Sequence, residues 1–300
     1  MSVFKVLINE VFVNIDINNL DIVDNKHVFS LVNDFESGKW RQGEFQEYIW
    51  NNIAETALSK EEEKNLVGKS VSILKESAKN LRISEDSGKG SELCEILLYG
   101  IMKDHYSALP VVPKIFYKQN SQDNAKGADS VHIVIKDNDF SLWFGEAKFY
   151  LDIDRAITSA VDSVDAFLRN DDQIKKENSI ITSVSDIDQM GLSDELVKQI
   201  KSTLNGKNSL DNIKPKINIP ILLLYECNIT NKANEFTNEY KNRIISFHKE
   251  KANQYFKKQI GKMHSIFKYS DIQFHLILFP VPNKDTIVDA FLEEANHYRG

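Results

Sequence analysis

The chain has 300 residues, of which 42% are hydrophobic and 27% charged, and a formal net charge of −7. These values exclude a mainly disordered chain, which lacks the apolar surface to offset its ordering entropy, and a uniformly basic nucleic-acid binder, though not a local basic surface. The longest apolar run, Ile219 to Tyr225, falls far short of the roughly 18 residues of a membrane span, and Cys94 and Cys227 are too few for a disulfide framework, so the expected address is the cytoplasm, with no membrane partner.

Residues 3–17 are rich in β-branched and aliphatic side chains and read as one or two strands, interrupted by Asn9 and Glu10 before any signal-like core forms. Phe45, Tyr48 and Ile49 recur at helical spacing over Gly43 to Asn52. Ser59 followed by Glu61, Glu62 and Glu63 is an N-cap with acids in the first turn, and the pattern predicts one helix on to Leu81. Residues 1–63 alone carry twelve acids against five Lys and Arg, a surface suited to solubility or to docking a basic partner. The polar run Ser84 to Gly90 is the strongest boundary signal. It divides an N-terminal α+β region, 1–85, with a possible docking role, from a main domain, 86–300.

The main domain opens with a helix over Ser91 to Lys103, with Leu93, Ile96, Leu97 and Ile101 as its buried stripe, ended by Pro110 and Pro113. A short strand is predicted at Ile115 to Tyr117, then a polar loop. Two segments of period two follow around Asp137-Asn138-Asp139, a β-hairpin. A helix spans Asp154 to Asn170, with Ile157, Val161, Val164 and Leu168 on one face, and Ile180 to Val184 reads as a strand. After a polar connector at 203–216, buried strands are expected over Ile217 to Glu226 and Ile272 to Val281, with a long helix between them and a final helix near 284–297. The intervening helix holds eight basic residues over 241–270 against Glu250. That run reads first as the outer face of an amphipathic helix; the alternative is a track for a DNA backbone, with His248, Tyr255 and Phe256 interleaved.

The hairpin carries the chemistry. With Asp137-Asn138 as its central loop, Val131 faces Phe144, Ile133 faces Leu142 and Ile135 faces Phe140, forming one apolar face. Asp129 then lies opposite Glu146, with Lys148 two residues further along; the next parity-conserving register sets Asp129 opposite Lys148 instead. In both registers two acids and a lysine end an otherwise buried face, which costs desolvation energy unless something compensates. A divalent cation is the natural compensation, since Mg²⁺ takes carboxylate oxygens and keeps waters and phosphate oxygens. Glu95 and Glu92, on the helix from Ser91, are the candidates for a further carboxylate. Lys114, Lys118 and Lys126, before Asp129, are candidate phosphate contacts or solvated loop lysines. His132 falls on the opposite face by parity and reads as a packed histidine, and Trp143 and Phe149 as core. Other acid-x-Lys triplets, Asp24-Asn25-Lys26, Glu62-Glu63-Lys64 and Glu239-Tyr240-Lys241, lie in turn-like or helical context, where the outer residues do not share a face.

Asp129, followed on the next strand by Glu146-Ala147-Lys148 with an acid on a preceding helix, resembles the PD-(D/E)xK nuclease superfamily. More specifically, Gly127-Ala128-Asp129-Ser130-Val131-His132, Gly145-Glu146-Ala147-Lys148-Phe149-Tyr150 and the helical Cys94-Glu95-Ile96-Leu97-Leu98-Tyr99 resemble HamA, the nuclease-subunit family of the Hachiman anti-phage defence system. The resemblance covers residues 85–170 and extends to the C-terminal strands near 295; no motif is matched over 1–80. Ala128 replaces the proline usual before the first acid. The resemblance implies an α/β, restriction-endonuclease-like core, with a mixed central sheet flanked by helices. It also implies a metal-dependent deoxyribonuclease working with a helicase subunit. Asp129 and Glu146 would hold Mg²⁺ or Mn²⁺, Lys148 would position the attacking water, and Glu95 would be the helix acid, with Glu92 its competitor. The rival expectations are a non-catalytic scaffolding subunit that binds the helicase, and a nuclease of the same fold that cuts RNA.

Overall fold

The computed structural model describes residues 3–12, 24–83, 90–113, 115, 127–183, 192–205 and 208–300. Its strands are β1 (Lys5–Val11), β2 (Lys26–Val32), β3 (Phe35–Glu36), β4 (Lys39–Trp40), β5 (Leu109–Val112), β6 (Ser130–Lys136), β7 (Asp139–Tyr150), β8 (Ile217–Glu226) and β9 (Gln273–Val281). Its helices are α1 (Gln42–Asn51), α2 (Ile53–Ala57), α3 (Lys60–Asn65), α4 (Ser70–Lys79), α5 (Ser91–Tyr106), α6 (Ile153–Leu168), α7 (Asp171–Ser183), α8 (Asp194–Thr203), α9 (Asn228–Asn231), α10 (Asn238–Met263) and α11 (Lys284–Arg299).

β3 and β4 form a small hairpin, and the other seven strands make one mixed sheet in the order β1-β2-β9-β8-β7-β6-β5. The neighbours β2, β9, β8 and β7 are parallel, while β1, β6 and β5 add antiparallel pairs at the two sides. Strands from both sides of the Ser84–Gly90 run therefore share the sheet. Its two faces bury two cores. Ile219, Ile221 and Leu223 of β8 pack with Ile157 and Val161 of α6 and with Tyr255 and Phe256 of α10. Leu222 and Leu224 pack on the other side, with Leu93 and Leu97 of α5 and Ile287 and Phe291 of α11. A strand covered on both faces reads as a continuous apolar run, which is why β8 and β9 show no alternation. The architecture is the expected mixed α/β one, consistent with a restriction-endonuclease-like core.

Several expectations are corrected. The helix from Ser59 to Leu81 is two helices. Ser59 caps α3 in a capping box with Glu62, but Gly68, at φ +78°, takes the left-handed conformation that ends it before α4 begins. The segment predicted as a strand from Ile180 belongs to α7 through Ser183, and Val184 lies outside the described residues. The buried positions of α7 are Ile174, Glu177, Asn178 and Ile181, a helical stripe hidden from hydropathy because its two middle members are polar. Leu109–Val112 is a strand although it contains Pro110, because β5 is the sheet edge, where a missing N–H costs little. The strand expected at Ile115 to Tyr117 lies largely outside the described residues, as do residues 13–17 and 84–89.

The basic run of α10 behaves as a helix face packed on acids. Lys251 pairs with Asp154 at 2.6 Å, Lys262 with Asp162, and Lys249 with Glu10 at 3.3 Å, while Lys258 donates to Thr158 at 2.7 Å. His248, Tyr255 and Phe256 are fully buried. His248 bridges Ser30, at 2.5 Å, and Tyr225, at 2.6 Å. Among the described residues no helix is long and apolar enough to cross a membrane.

Candidate active site

The hairpin register is the first of the two expected. Val131 pairs with Phe144, Ile133 with Leu142 and Ile135 with Phe140, around a turn in which Asp137 and Asn138 have φ of 52° and 60°. Two positive φ values match the right-handed twist of the flanking strands, so the turn fixes the register. The ladder continues past the start of β6, where the Asp129 N–H donates to the Gly145 carbonyl at 2.8 Å. Asp129 thus comes level with Glu146. Its Oδ2 accepts the Ala147 N–H at 3.0 Å, which fixes the carboxylate against β7.

Two features of β7 and β8 shape this end of the sheet. Pro220, inside the central strand β8, coincides with a gap in the β7–β8 ladder, which skips from Trp143–Asn218 to Glu146–Ile221. Gly145 sits in that gap, and a Cβ there would lie 2.1 Å from Ser130 Oγ and 2.8 Å from Leu98 Cδ2. Ser130 can rotate, but Leu98 is fully buried in the core. Gly145→Val is therefore expected to destabilise the protein by about 1–3 kcal/mol, through overpacking next to the site. Chemical unfolding of the variant checks this; an unchanged midpoint refutes it.

Glu146 and Lys148 form an ion pair, with side chains only 13% and 20% exposed. Burial is the main force lifting the Glu146 carboxyl above its ordinary value, and repulsion from Asp129 adds to it, against the opposing pull of Lys148 and a hydrogen bond to Ser163 on α6. Burial alone would lower the Lys148 ammonium; the Glu146 carboxylate and then Asp129 outweigh it and hold it above the usual lysine value. Lys148 is therefore a cation near neutrality, not a base. Asp129, Glu146 and Lys148 line one cavity of about 310 Å³ on the α6 side. Asp129 and Lys148 also line a second, of about 440 Å³, together with Glu95 of α5.

The helix acids separate cleanly. Glu95 is buried, at 8% exposure, and reaches the cavity. Glu92 instead accepts the Arg82 backbone N–H on both carboxylate oxygens, at 2.8 Å each. Lys114, Lys118 and Lys126 lie outside the described residues. His132 is buried on the opposite face against Tyr99, and burial pushes its pKa down to about 3. Trp143 and Phe149 are core residues under α5 and α11. The other triplets go elsewhere: Lys26 donates to Asn25 Oδ1, Glu62 belongs to the capping box, and Glu239 pairs with Arg243. Sequence reasoning missed Ser163, Arg155 and Lys284 as neighbours of the site: Ser163 and Arg155 come from α6, directly after the hairpin, where the sequence pattern does not show which residues turn toward it, and Lys284 comes from α11, far along the chain.

The donor set suits a hard cation. It is all carboxylate: the Cys94 thiol behind it is fully buried, and burial together with Asp129 and Glu95 raises its pKa, so it stays protonated. Asp129 and Glu146 are near enough to repel, a cost that a shared divalent ion removes. Among the described residues no group of three or more His, Cys, Asp and Glu side chains could hold a metal by itself. A cation here would take Asp129 and Glu146 and complete its shell with water and phosphate oxygens, the habit of Mg²⁺.

Comparison with curated proteins gives no match, and comparison with solved structures gives none. A family model does match: that of HamA, over residues 6–295, nearly the whole chain and including the stretch over 6–80 where no motif is recognised. The chain belongs to the HamA family, the family of Hachiman anti-phage defence proteins.

Proposed function

We propose that this protein is a metal-dependent nuclease that hydrolyses DNA phosphodiesters in the cytoplasm, as the effector of a Hachiman complex with a helicase. The observation that carries the reading is the convergence of Asp129, Glu146 and Lys148 at one end of β7, where all three line one cavity and Asp129 and Lys148 line a second. A structural ion pair needs one acid and one base; the second acid raises the cost of the site and supports a cation-binding role. Bound between Asp129 and Glu146, Mg²⁺ or Mn²⁺ would lower the pKa of water and offset charge on the phosphoryl group. Lys148, held protonated, orients the attacking water and neutralises charge in the transition state. Asp129, fixed by the Ala147 N–H, keeps its carboxylate in place without reorganisation. Glu95 supplies a further acid from the α5 side.

Supercoiled plasmid and a structured RNA, each incubated with the purified protein in Mg²⁺ or in EDTA, test the reading. Nicking or linearisation of the plasmid in Mg²⁺ alone is expected. Selective cutting of RNA reassigns the substrate. Inertness of the folded protein, both alone and with its helicase added, leaves the scaffold role instead.

A further inference from the structure

The cavity of about 440 Å³ is lined from two sets of elements. α5 and the hairpin supply Glu95, Asp129 and Lys148. The segment Leu151-Asp152, Arg155 in the first turn of α6, and Lys284, the first residue of α11, supply the rest of its charged lining. Three features mark Arg155 and Lys284. Neither has an ion-pair partner among the described residues, unlike Lys249, Lys251 and Lys262 of α10, which each face an acid. Both sit in the first turn of a helix, where the helix dipole disfavours a cation, so local stability does not account for them. Lys284 is also half-buried, and burial lowers its pKa. Its ammonium stands over the Phe149 and Tyr150 rings, at 5.0 and 6.0 Å from their centroids, and donates to the Phe149 carbonyl at 2.8 Å, one hydrogen bond for three donors. An anionic ligand in the cavity accounts for all three features.

We infer that Arg155 and Lys284 grip the phosphodiester next to the scissile one on the DNA strand being cut. They are positioning residues, and the inference rests on the nuclease reading. Arg155 offers a planar fork for two phosphate oxygens and Lys284 a point charge. With that neighbouring phosphate held by Arg155 and Lys284, the strand crosses the cavity and brings the scissile phosphate to Asp129 and Lys148, beside Glu146 in the adjoining cavity. The acids and the two cations thus divide the labour: the acids for chemistry, the cations for register. The sequence hides this, because Arg155 and Lys284 are far apart in the chain and neither lies in a basic run.

The test measures binding and cleavage separately on the full chain, its Arg155→Ala/Lys284→Ala double variant, and Lys284→Arg. Binding of a fluorescent single-stranded DNA is followed in EDTA from 50 to 200 mM salt; cleavage is followed in Mg²⁺. The double variant is expected to bind about 10–100-fold more weakly, with a log–log salt slope shallower by about 0.7, the value for one lost phosphate contact on a single strand. Its KM should rise by more than its kcat falls, and Lys284→Arg should retain most of the wild-type affinity. A double variant matching wild type in affinity, salt slope and KM overturns the inference while leaving the nuclease reading intact. Weaker binding with an unchanged salt slope also overturns it, since that marks a structural effect. Wild-type protein that binds DNA through these residues but never cuts it, with or without its helicase, refutes the nuclease reading and leaves the phosphate grip standing. Tighter, Arg155- and Lys284-dependent binding to RNA of the same length overturns DNA as the ligand.

Discussion

Glu146→Ala and Lys148→Ala are each expected to reduce Mg²⁺-dependent plasmid cleavage by about 10³-fold or more, and the double variant to be little worse than either single one. On the proposed reading, the first loss removes one of the two carboxylates that would share the cation, and the second removes the charge that would orient water and offset the transition state. Their effects overlap because the two side chains are one ion pair, each fixing the other's protonation state. Residues that act as a unit are strongly non-additive, whereas two independent contributions would multiply. A double variant about 10³-fold worse than either single one would show the residues working separately.

The same pair sets a pH dependence. Burial and Asp129 raise the Glu146 pKa, so a proton competes with the cation for that carboxylate more effectively than at an exposed glutamate. The Mg²⁺ concentration giving half-maximal cleavage is expected to rise as the pH falls from 8 to 6. Asp129→Asn removes the repulsion that lifts Glu146, but it also removes a proposed ligand. That variant should therefore lose activity while the remaining Glu146–Lys148 pair becomes less pH-sensitive, a change visible in the chemical shift of the Glu146 carboxyl carbon. Half-saturation that stays flat across this range would argue against Glu146 as a ligand.

Much of this was legible in the sequence, for local physical reasons. A two-residue turn with strict alternation on both sides fixes a register, so Asp129, Glu146 and Lys148 could be placed on one face from spacing alone. Where periodicity failed, a distant partner was responsible. Glu177 and Asn178 occupy buried positions of α7, so its stripe looked too polar for a helix. Pro110 is tolerated only because β5 is an edge strand, a fact of sheet order and not of local sequence. The basic run of α10 reads first as a helix face and second as a track for DNA, and what decides between them is Asp154 and Asp162, about a hundred residues away and placed against it. The choice between Glu95 and Glu92 likewise depended on Arg82, whose backbone claims Glu92. Local chemistry was readable; its exposure and its partners belong to the tertiary structure.

Mild acid is expected to unfold the protein, and His132→Phe to make it more resistant. Burial pushes the pKa of both His132 and His248 down to about 3, and it lowers His275 as well, with His27 adding to that effect. In the unfolded chain each titrates near about 6.5. Above that pH both states are neutral and the native state keeps its full stability. As the pH falls from about 6.5 toward about 3, protons bind the unfolded chain first, so stability drops by up to about 1.4 kcal/mol per pH unit for each of His132 and His248, and His275 acts in the same direction. Set against a typical total of about 5–15 kcal/mol, these losses are enough to unfold a chain near the low end of that range by about pH 4–5. His132 is the one to replace. Neither of its ring nitrogens has a hydrogen-bond partner among the described residues, and it packs against Tyr99 and pairs across the sheet with Trp143. His132→Phe removes an unsatisfied buried donor as well as a proton site. It should add about 1–3 kcal/mol at neutral pH and shift the acid midpoint downward. His248→Phe is the contrasting variant: it also removes a proton site, but it strands Ser30 and Tyr225, so it should lose stability at neutral pH. Urea unfolding from pH 4 to 7.5 separates the two. An acid midpoint unmoved in His132→Phe would mean that the acid sensitivity resides elsewhere.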